Sequence, residues 1–269
     1  MEGRLANKVA MVTGAGSGMG AAIAKRFAKE GARIVICDIR EEAMANTAAA
    51  CPEGSVLQVI ADIRKIEDTQ AMTDAAIKFG GKIDILANVA GITSRGAVAD
   101  VTLEEWNNVI STNLFGAFYM MRAVLPHMIE AQAGSIITIS SLAGIRRIPS
   151  STAYSTSKAG LIGLAQSVAY DYGKYNIRSN IICPGLTRTE SVDRHTGERA
   201  ESLGMDKEAA FSEMMRLSPI HRPISTDEIA STALFFASDE SATITGAVLS
   251  ADSGTAICDA SIGAMRSVH

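Results

Sequence analysis

The sequence has little that would direct it to nucleic acid, a membrane or an oxidising compartment. Lysine and arginine together number 25 against 29 aspartates and glutamates, for a formal net charge of −4. That balance provides no basic footprint for a phosphate backbone. No apolar run reaches the length that a bilayer-spanning helix needs. No signal-type apolar stretch follows Glu2 and Arg4. Cys37, Cys51, Cys183 and Cys258 are scattered, without the spacing of a metal site or a redox pair. Cys37 and Cys183 fall in apolar strand-like contexts and read as buried, reduced thiols. No metal site is therefore expected, and there is no internal repeat or low-complexity linker. What remains is a cytoplasmic globular chain of 269 residues, 47% hydrophobic and 20% charged, read as one domain over 1–269.

Within it, strand-like apolar runs alternate with helical runs from residue 9 to residue 182. Alternation of that kind predicts an α/β fold, a doubly wound parallel sheet with helices on both faces. Ligands of such sheets bind beyond the carboxyl ends of the strands. The first strand, Lys8-Val9-Ala10-Met11-Val12-Thr13, runs into Gly14-Ala15-Gly16-Ser17-Gly18-Met19-Gly20 and then into a helical stretch. Strand, glycine loop and helix form the context of a phosphate-binding turn. Glycines let the backbone approach a pyrophosphate, and the helix N-terminus offers free N–H groups and a positive dipole end. The spacing fits Thr-Gly-x-x-x-Gly-x-Gly rather than Gly-x-Gly-x-x-Gly. A second strand ends at Asp38, about 20 residues beyond the loop, where a carboxylate can accept bonds from the adenosine ribose hydroxyls. It would repel a 2′-phosphate, and Ser17 adds no compensating charge. NAD is expected over NADP, with Arg40 close enough to reach a phosphate and reverse the preference.

Tyr154 and Lys158 stand four residues apart in Tyr154-Ser155-Thr156-Ser157-Lys158, on one face of a stretch that reads as helix. An ammonium beside a phenol favours phenolate, so the pairing is expected to lower the tyrosine pKa. A tyrosine tuned in that way can exchange a proton with an alcohol or ketone.

With these motifs in this order, the chain resembles the short-chain dehydrogenase/reductase family, in its single-domain, NAD-preferring branch, from about residue 5 to residue 256. The resemblance implies a Rossmann-type fold and places more residues. Thr13 to Gly20 match the cofactor loop, with Gly14, Ser17, Gly18, Met19 and Gly20 as contacts, and Ile39 follows Asp38. Asp62-Ile63 resembles the adenine-contacting pair after the third strand. Asn88-Val89-Ala90-Gly91 resembles Asn-Asn-Ala-Gly, with valine for the second asparagine; Asn88, Ala90 and Gly91 are implied to stabilise the sheet and contact ribose. Asn113, in a long helical stretch over 103–128, resembles the asparagine that holds a proton-relay water. The family sets a serine 13 positions ahead of its tyrosine, which here is Ser141 rather than Ser140. Pro184, Gly185, Thr187 and Thr189 resemble the loop that grips the nicotinamide carboxamide. Asp252-Ser253-Gly254 stands where Asp-Gly-Gly is frequent.

The implied chemistry is reversible oxidation of a secondary alcohol to a ketone. Tyr154 is the acid and base, Lys158 lowers its pKa and bonds the nicotinamide ribose, Ser141 bonds the substrate oxygen, and Asn113 completes a proton relay. Substrate walls are expected from Ser94, Ser141, Leu142, Ile148, Tyr154, Gly185 and Leu186. Arg146 and Arg147 are either solvated or aimed at an acidic substrate group. His195 and His221 read as solvated or structural. Residues 190–218 are expected to form a lid, with an amphipathic helix over 205–217. Residues 256–269 form a tail of the sort that reaches a neighbouring subunit, and a homotetramer is implied. The alternatives are an NADPH-dependent biosynthetic ketoreductase, such as a 3-oxoacyl reductase, and a non-catalytic nucleotide-binding protein.

Overall fold

The continuous apolar runs of the sequence become parallel strands covered on both faces. The computed structural model describes residues 3–258. Helix α1 (Gly18–Lys29) connects β1 (Val9–Thr13) to β2 (Arg33–Asp38), α2 (Glu41–Ala49) leads to β3 (Val56–Ile60), and α3 (Ile66–Gly80) leads to β4 (Ile85–Asn88). Helices α4 (Leu103–Ile110) and α5 (Gly116–Ala131) cross to β5 (Gly134–Ile139); α6 (Leu142–Ile145) and the long α7 (Thr152–Tyr172) cross to β6 (Ile177–Pro184). An excursion then opens at β7 (Thr187–Arg188), carries α8 (Glu190–Ser202) and α9 (Lys207–Met214), and closes at β8 (Ile224–Ser225). Helix α10 (Thr226–Ala237) and β9 (Val248–Ala251) follow.

The main sheet has seven strands in the order β3-β2-β1-β4-β5-β6-β9, all parallel. This is the expected doubly wound, Rossmann-type α/β fold. The strand order reverses between β1 and β4, which opens a crevice at their carboxyl ends. Successive side chains of the central strands β1, β2 and β4 enter opposite cores. Val12, Ile36 and Ala87 meet Ile23, Phe27 and Leu234 from α1 and α10. Met11, Val35 and Leu86 meet Met72, Met121 and Val124 from α3 and α5. Each of these side chains larger than alanine, fully removed from water, contributes ~1.5–3 kcal/mol. No helix among the described residues is long and apolar enough to cross a membrane.

Two local expectations are revised. The helical stretch over 103–128 is not continuous: a π-turn at Ser111–Phe115 separates α4 from α5 and carries Asn113, which is buried. An inserted π-turn shifts the side-chain phase within a helix and recurs at functional sites. The lid holds two helices rather than one. Asp206 caps α9, its Oδ2 accepting from the backbone N–H groups of Glu208 and Ala209, and the helix ends at Met214. Of the apolar positions assigned to that helix, Phe211 and Met215 are buried, while Met205, Met214 and Leu217 are exposed. Of the tail, Thr255–Ile257 form a short 3-10 turn, and residues 259–269 lie outside the described chain.

Candidate active site

The glycine loop leaves β1 at Thr13, whose hydroxyl ties the exits of two strands together. It accepts the N–H groups of Val89 at 3.0 Å and Ala90 at 3.2 Å. Valine in place of the family's second asparagine thus leaves the backbone contact intact, and Val89 packs on the α1 side of the sheet. Gly14 has φ of +65°, and a Cβ there would stand 2.7 Å from the Ala90 Cα. A Cβ on Gly20 would stand 2.1 Å from the Gly14 carbonyl oxygen. Only glycine allows the loop to fold this tightly under the helix N-terminus. The loop borders a cavity of about 460 Å³ at the β1/β4 crevice. Gly14, Ser17, Met19 and Gly20 line one side of it; Asp38, Ile39, Asp62 and Ile63 line the next; Ala90 and Gly91 close it. All ten are among the residues the sequence assigned to a dinucleotide, and the backbone cradle fits one; Gly18, Asn88 and the assigned residues of 154–189 are not in this lining.

Asp38 is largely buried. Its Oδ2 accepts the Gly16 N–H at 3.0 Å, and its Oδ1 accepts the Arg40 N–H at 3.1 Å and Nε at 3.2 Å. Arg40 also donates from Nη2 to the Ser17 hydroxyl at 2.9 Å, so it spans the cavity mouth between Asp38 and the glycine loop. Arg64 was not foreseen. It forks onto the Asp62 carboxylate at 2.6–3.0 Å and donates to Asn108 Oδ1 at 3.0 Å, and the hydrogen bonds from Arg64 hold Asp62 below the usual carboxylate range. An arginine two residues past the aspartate was the only sequence signal for it.

Beyond the cavity, α7 brings Tyr154 and Lys158 to the ends of β5 and β6. Lys158 is 4% exposed, donates from Nζ to the Ile139 carbonyl at 2.9 Å, and lies 5.8 Å from the centroid of the Tyr154 ring. Burial pulls it down to about 8. Burial pushes the Tyr154 phenol above its ordinary value, and the nearby Ser141 side chain, which favours the phenolate, offsets part of the rise. The expected direction was the opposite. The ammonium is occupied by a backbone carbonyl, and desolvation, which a charge-only argument leaves out, prevails. The two adjacent serines have different partners: Ser140 donates to the Lys158 carbonyl at 2.7 Å, and Ser141 caps α6 beside Tyr154. The Cys183 thiol, also buried here, is raised by that burial, and Cys37 is pushed up to about 12.

Asn113 connects this cluster to the cavity. Its Oδ1 accepts the Ile92 N–H at 2.8 Å, and its Nδ2 donates to the Ile92 carbonyl and the Ser157 hydroxyl, both at 2.9 Å. Its amide therefore anchors the loop after β4 to α7. Gly91 lies between them: a Cβ there would sit 3.1 Å from Asn113 Oδ1 and 3.3 Å from Lys158 Nζ. Asn88 is buried, and its amide has no protein hydrogen-bond partner.

The remaining assigned residues take their places around this centre. Gly185 lies against Asp252, and the Thr187 hydroxyl donates to the Gly185 carbonyl at 3.2 Å. Thr189 caps α8 and lies against Gly18; Pro184 ends β6. The Ser94 carbonyl accepts the Ser151 hydroxyl just ahead of α7, Leu142 and Leu186 are half-buried, and Ile148 is exposed. Arg146 is neither free nor turned to a substrate, because its Nη1 donates to the carbonyls of Thr255, Ala256 and Cys258 at 2.8–3.0 Å. Arg147 donates to the Ala143 and Gly144 carbonyls. His195 bonds the Ser191 carbonyl within α8. Ser253 adopts φ of +57°, and its hydroxyl donates to the Arg222 carbonyl.

Comparisons with known proteins agree with this geometry. A family profile described as Enoyl-(Acyl carrier protein) reductase matches residues 14–256. The 3-oxoacyl-[acyl-carrier-protein] reductase FabG of Chlamydia trachomatis serovar D is 38% identical over 259 residues, covering 95% of this chain and all of that protein. Among solved structures, a levodione reductase superposes with a TM-score of 0.89 at 31% identity, covering 94% of this chain and 99% of its own. An actinorhodin polyketide ketoreductase variant with NADPH superposes with a TM-score of 0.88 at 29% identity, covering 95% and 99%. A glycine cradle at the strand switch point, a Ser–Tyr–Lys cluster beside it and relatives matched nearly end to end identify the chain as a member of the short-chain dehydrogenase/reductase family, oxidoreductases that act on CH–OH or keto groups with a nicotinamide cofactor.

Proposed function

We propose that the protein is a NAD-dependent oxidoreductase interconverting a secondary alcohol and a ketone, with Tyr154 as general acid and base. The observation that carries this reading is the convergence of Ser141, Tyr154 and Lys158 next to the dinucleotide cradle. A bound nicotinamide would supply the hydride acceptor or donor for the carbinol carbon. The chain's own residues do the rest. The glycine loop, Asp38 and Asp62 hold the adenosine and pyrophosphate; Asn88, Thr187 and Thr189 hold the nicotinamide half. Ser141 donates to the substrate oxygen. Tyr154 takes the hydroxyl proton in oxidation and returns it to the carbonyl oxygen in reduction. Lys158, as a cation, favours the phenolate and bonds the nicotinamide ribose. The proton leaves past Lys158 on the side that Asn113 anchors.

The preference for NAD rests on Asp38, whose carboxylate repels a 2′-phosphate. A second reading, an NADPH-dependent ketoreductase such as one acting on 3-oxoacyl groups, is favoured by Arg40 at the Ser17 hydroxyl and by the activities named for the relatives. A cytoplasmic homotetramer working on a small molecule fits the exposed Leu103, Phe115, Phe118 and Tyr170 on and beside α4, α5 and α7. The test is turnover of a panel of secondary alcohols, covering hydroxysteroids, 3-hydroxy esters, polyols and cyclic alcohols, with NAD and NADP in parallel. Turnover with NAD on one class is expected. Turnover with NADP alone would give the second reading.

A further inference from the structure

The excursion between β7 and β8 leaves and re-enters the fold at one place. Thr187 pairs with Ile224 and Arg188 with Ser225, so residues 189–223 form a flap whose two ends meet at a two-residue ladder. Arg188 belongs to that ladder, and its guanidinium reaches both helices of the flap. Nε and Nη2 donate to Asp193 in the first turn of α8 at 3.0 and 3.2 Å. Nη1 and Nη2 donate to Glu208 in the first turn of α9 at 3.0 and 2.9 Å. The guanidinium carbon also stands 4.5 Å above the ring of Phe211, which is buried. A planar fork with five donors can satisfy two carboxylates and stack on a ring at once; an ammonium cannot. On the other side, Arg188 lies between Thr187 and Thr189. The Thr189 hydroxyl caps α8 at Val192, and its methyl is the nearest group to the Cβ position of Gly18 in the glycine loop. The start of the flap is thus part of the cofactor cradle.

We infer that Arg188 is a positioning residue that couples the cofactor-gripping turn to the flap, so that holding the nicotinamide at Thr187 and Thr189 orders α8 and α9 over the substrate. This rests on the reading above that the turn holds a nicotinamide cofactor. The coupling works in both directions, as any binding linkage must. Without the guanidinium the carboxylates of Asp193 and Glu208 would lose the cation that they share.

The test is amide hydrogen exchange of the full chain with and without NADH, and with NADPH in parallel. In the wild type, the bound cofactor should slow exchange in residues 14–20 and also in 190–214, by about tenfold in the latter. In Arg188→Met the cofactor should still bind and still protect 14–20, but its effect on 190–214 should vanish. Glu208→Gln, a change at an exposed carboxylate, should keep protection of α8 and lose it in α9, and it serves also if Arg188→Met does not fold. Arg188→Lys should recover only part of the effect. A purely structural role would speed exchange in the flap yet leave the cofactor's protective factor unchanged; that result would overturn the coupling alone. A wild type that binds neither NADH nor NADPH would overturn the nicotinamide reading and the coupling with it.

Discussion

Replacing Asp38 by serine should reverse the cofactor preference, and the size of the effect follows from what the carboxylate touches. Asp38 accepts from the Gly16 N–H and from Arg40, and it lines the cavity where the adenosine ribose belongs. Hydrogen bonds to a charged acceptor are worth ~1.5–3 kcal/mol each, so losing two ribose hydroxyl bonds costs about 3 kcal/mol at the low end, or roughly two orders of magnitude in NADH affinity. For NADPH the carboxylate is a repulsive charge. At about 5 Å and an effective dielectric of about 20, one unit charge on the phosphate costs about 3 kcal/mol, and halving that for solvent still leaves roughly tenfold. Arg40, freed from Asp38 and already 2.9 Å from the Ser17 hydroxyl, would meet the phosphate. The affinity ratio should swing by about three orders of magnitude in total. Fluorescence titration of NADH and NADPH into wild type, Asp38→Ser and Asp38→Ser/Arg40→Ala measures it; the double variant should keep the roughly tenfold gain from the lost repulsion and lose only the further gain that Arg40 supplies. Wild-type NADH affinity within a few-fold in Asp38→Ser, or tighter NADPH than NADH binding in the wild type, would refute the reasoning.

Other consequences can be checked separately. In Gly91→Ala the new methyl meets Asn113, which is locked to Ile92, so Lys158 must give way; turnover should fall by about 10–100-fold with little change in melting temperature, as kinetics and calorimetry would show. Lys158 falls from an ordinary 10.5 to about 8 in the folded protein. A depressed folded value means the stability it contributes is complete above 10.5 and lost as pH falls through about 8. Denaturant unfolding of wild type against Lys158→Met should therefore show the difference moving in favour of wild type by about 3 kcal/mol between those limits; a flat difference would contradict it. Ser225 caps α10 in a reciprocal capping box with Glu228, so Ser225→Ala should cost about 1 kcal/mol and lower the melting temperature by about 2 °C.

Legibility from sequence followed the range of each interaction. The glycine loop, the strand that ends at Asp38 and the Tyr154–Lys158 pair are local patterns, and Gly14, Ser17, Met19, Gly20 and Asp38, assigned from the first two, line one cavity. The parallel sheet was readable because strands covered on both faces lack polar alternation. The π-turn at Asn113 was hidden, since one extra residue in a helix leaves no compositional trace. The division of the lid into α8 and α9 was obscured by apolar residues that stay exposed, although Asp206 is an N-cap residue by type. Arg146 and Arg188 were unreadable for another reason: their partners lie up to 112 and 20 residues away, and an arginine in a loop carries no sign of what it will reach. The direction of the Tyr154 shift was missed because sequence supplies the neighbouring charge but not the burial.

The most direct test of the central claim is Tyr154→Phe, measured beside wild type for NADH binding and for turnover of the alcohol class that the panel identifies. The phenol oxygen is the only atom removed, and proton transfer by a positioned side chain is worth about 10²–10⁴-fold. NADH affinity should stay within about twofold of wild type, and turnover should fall by about a thousandfold or more. Turnover near the wild-type rate with NADH binding intact would contradict the assignment of Tyr154 as the acid and base.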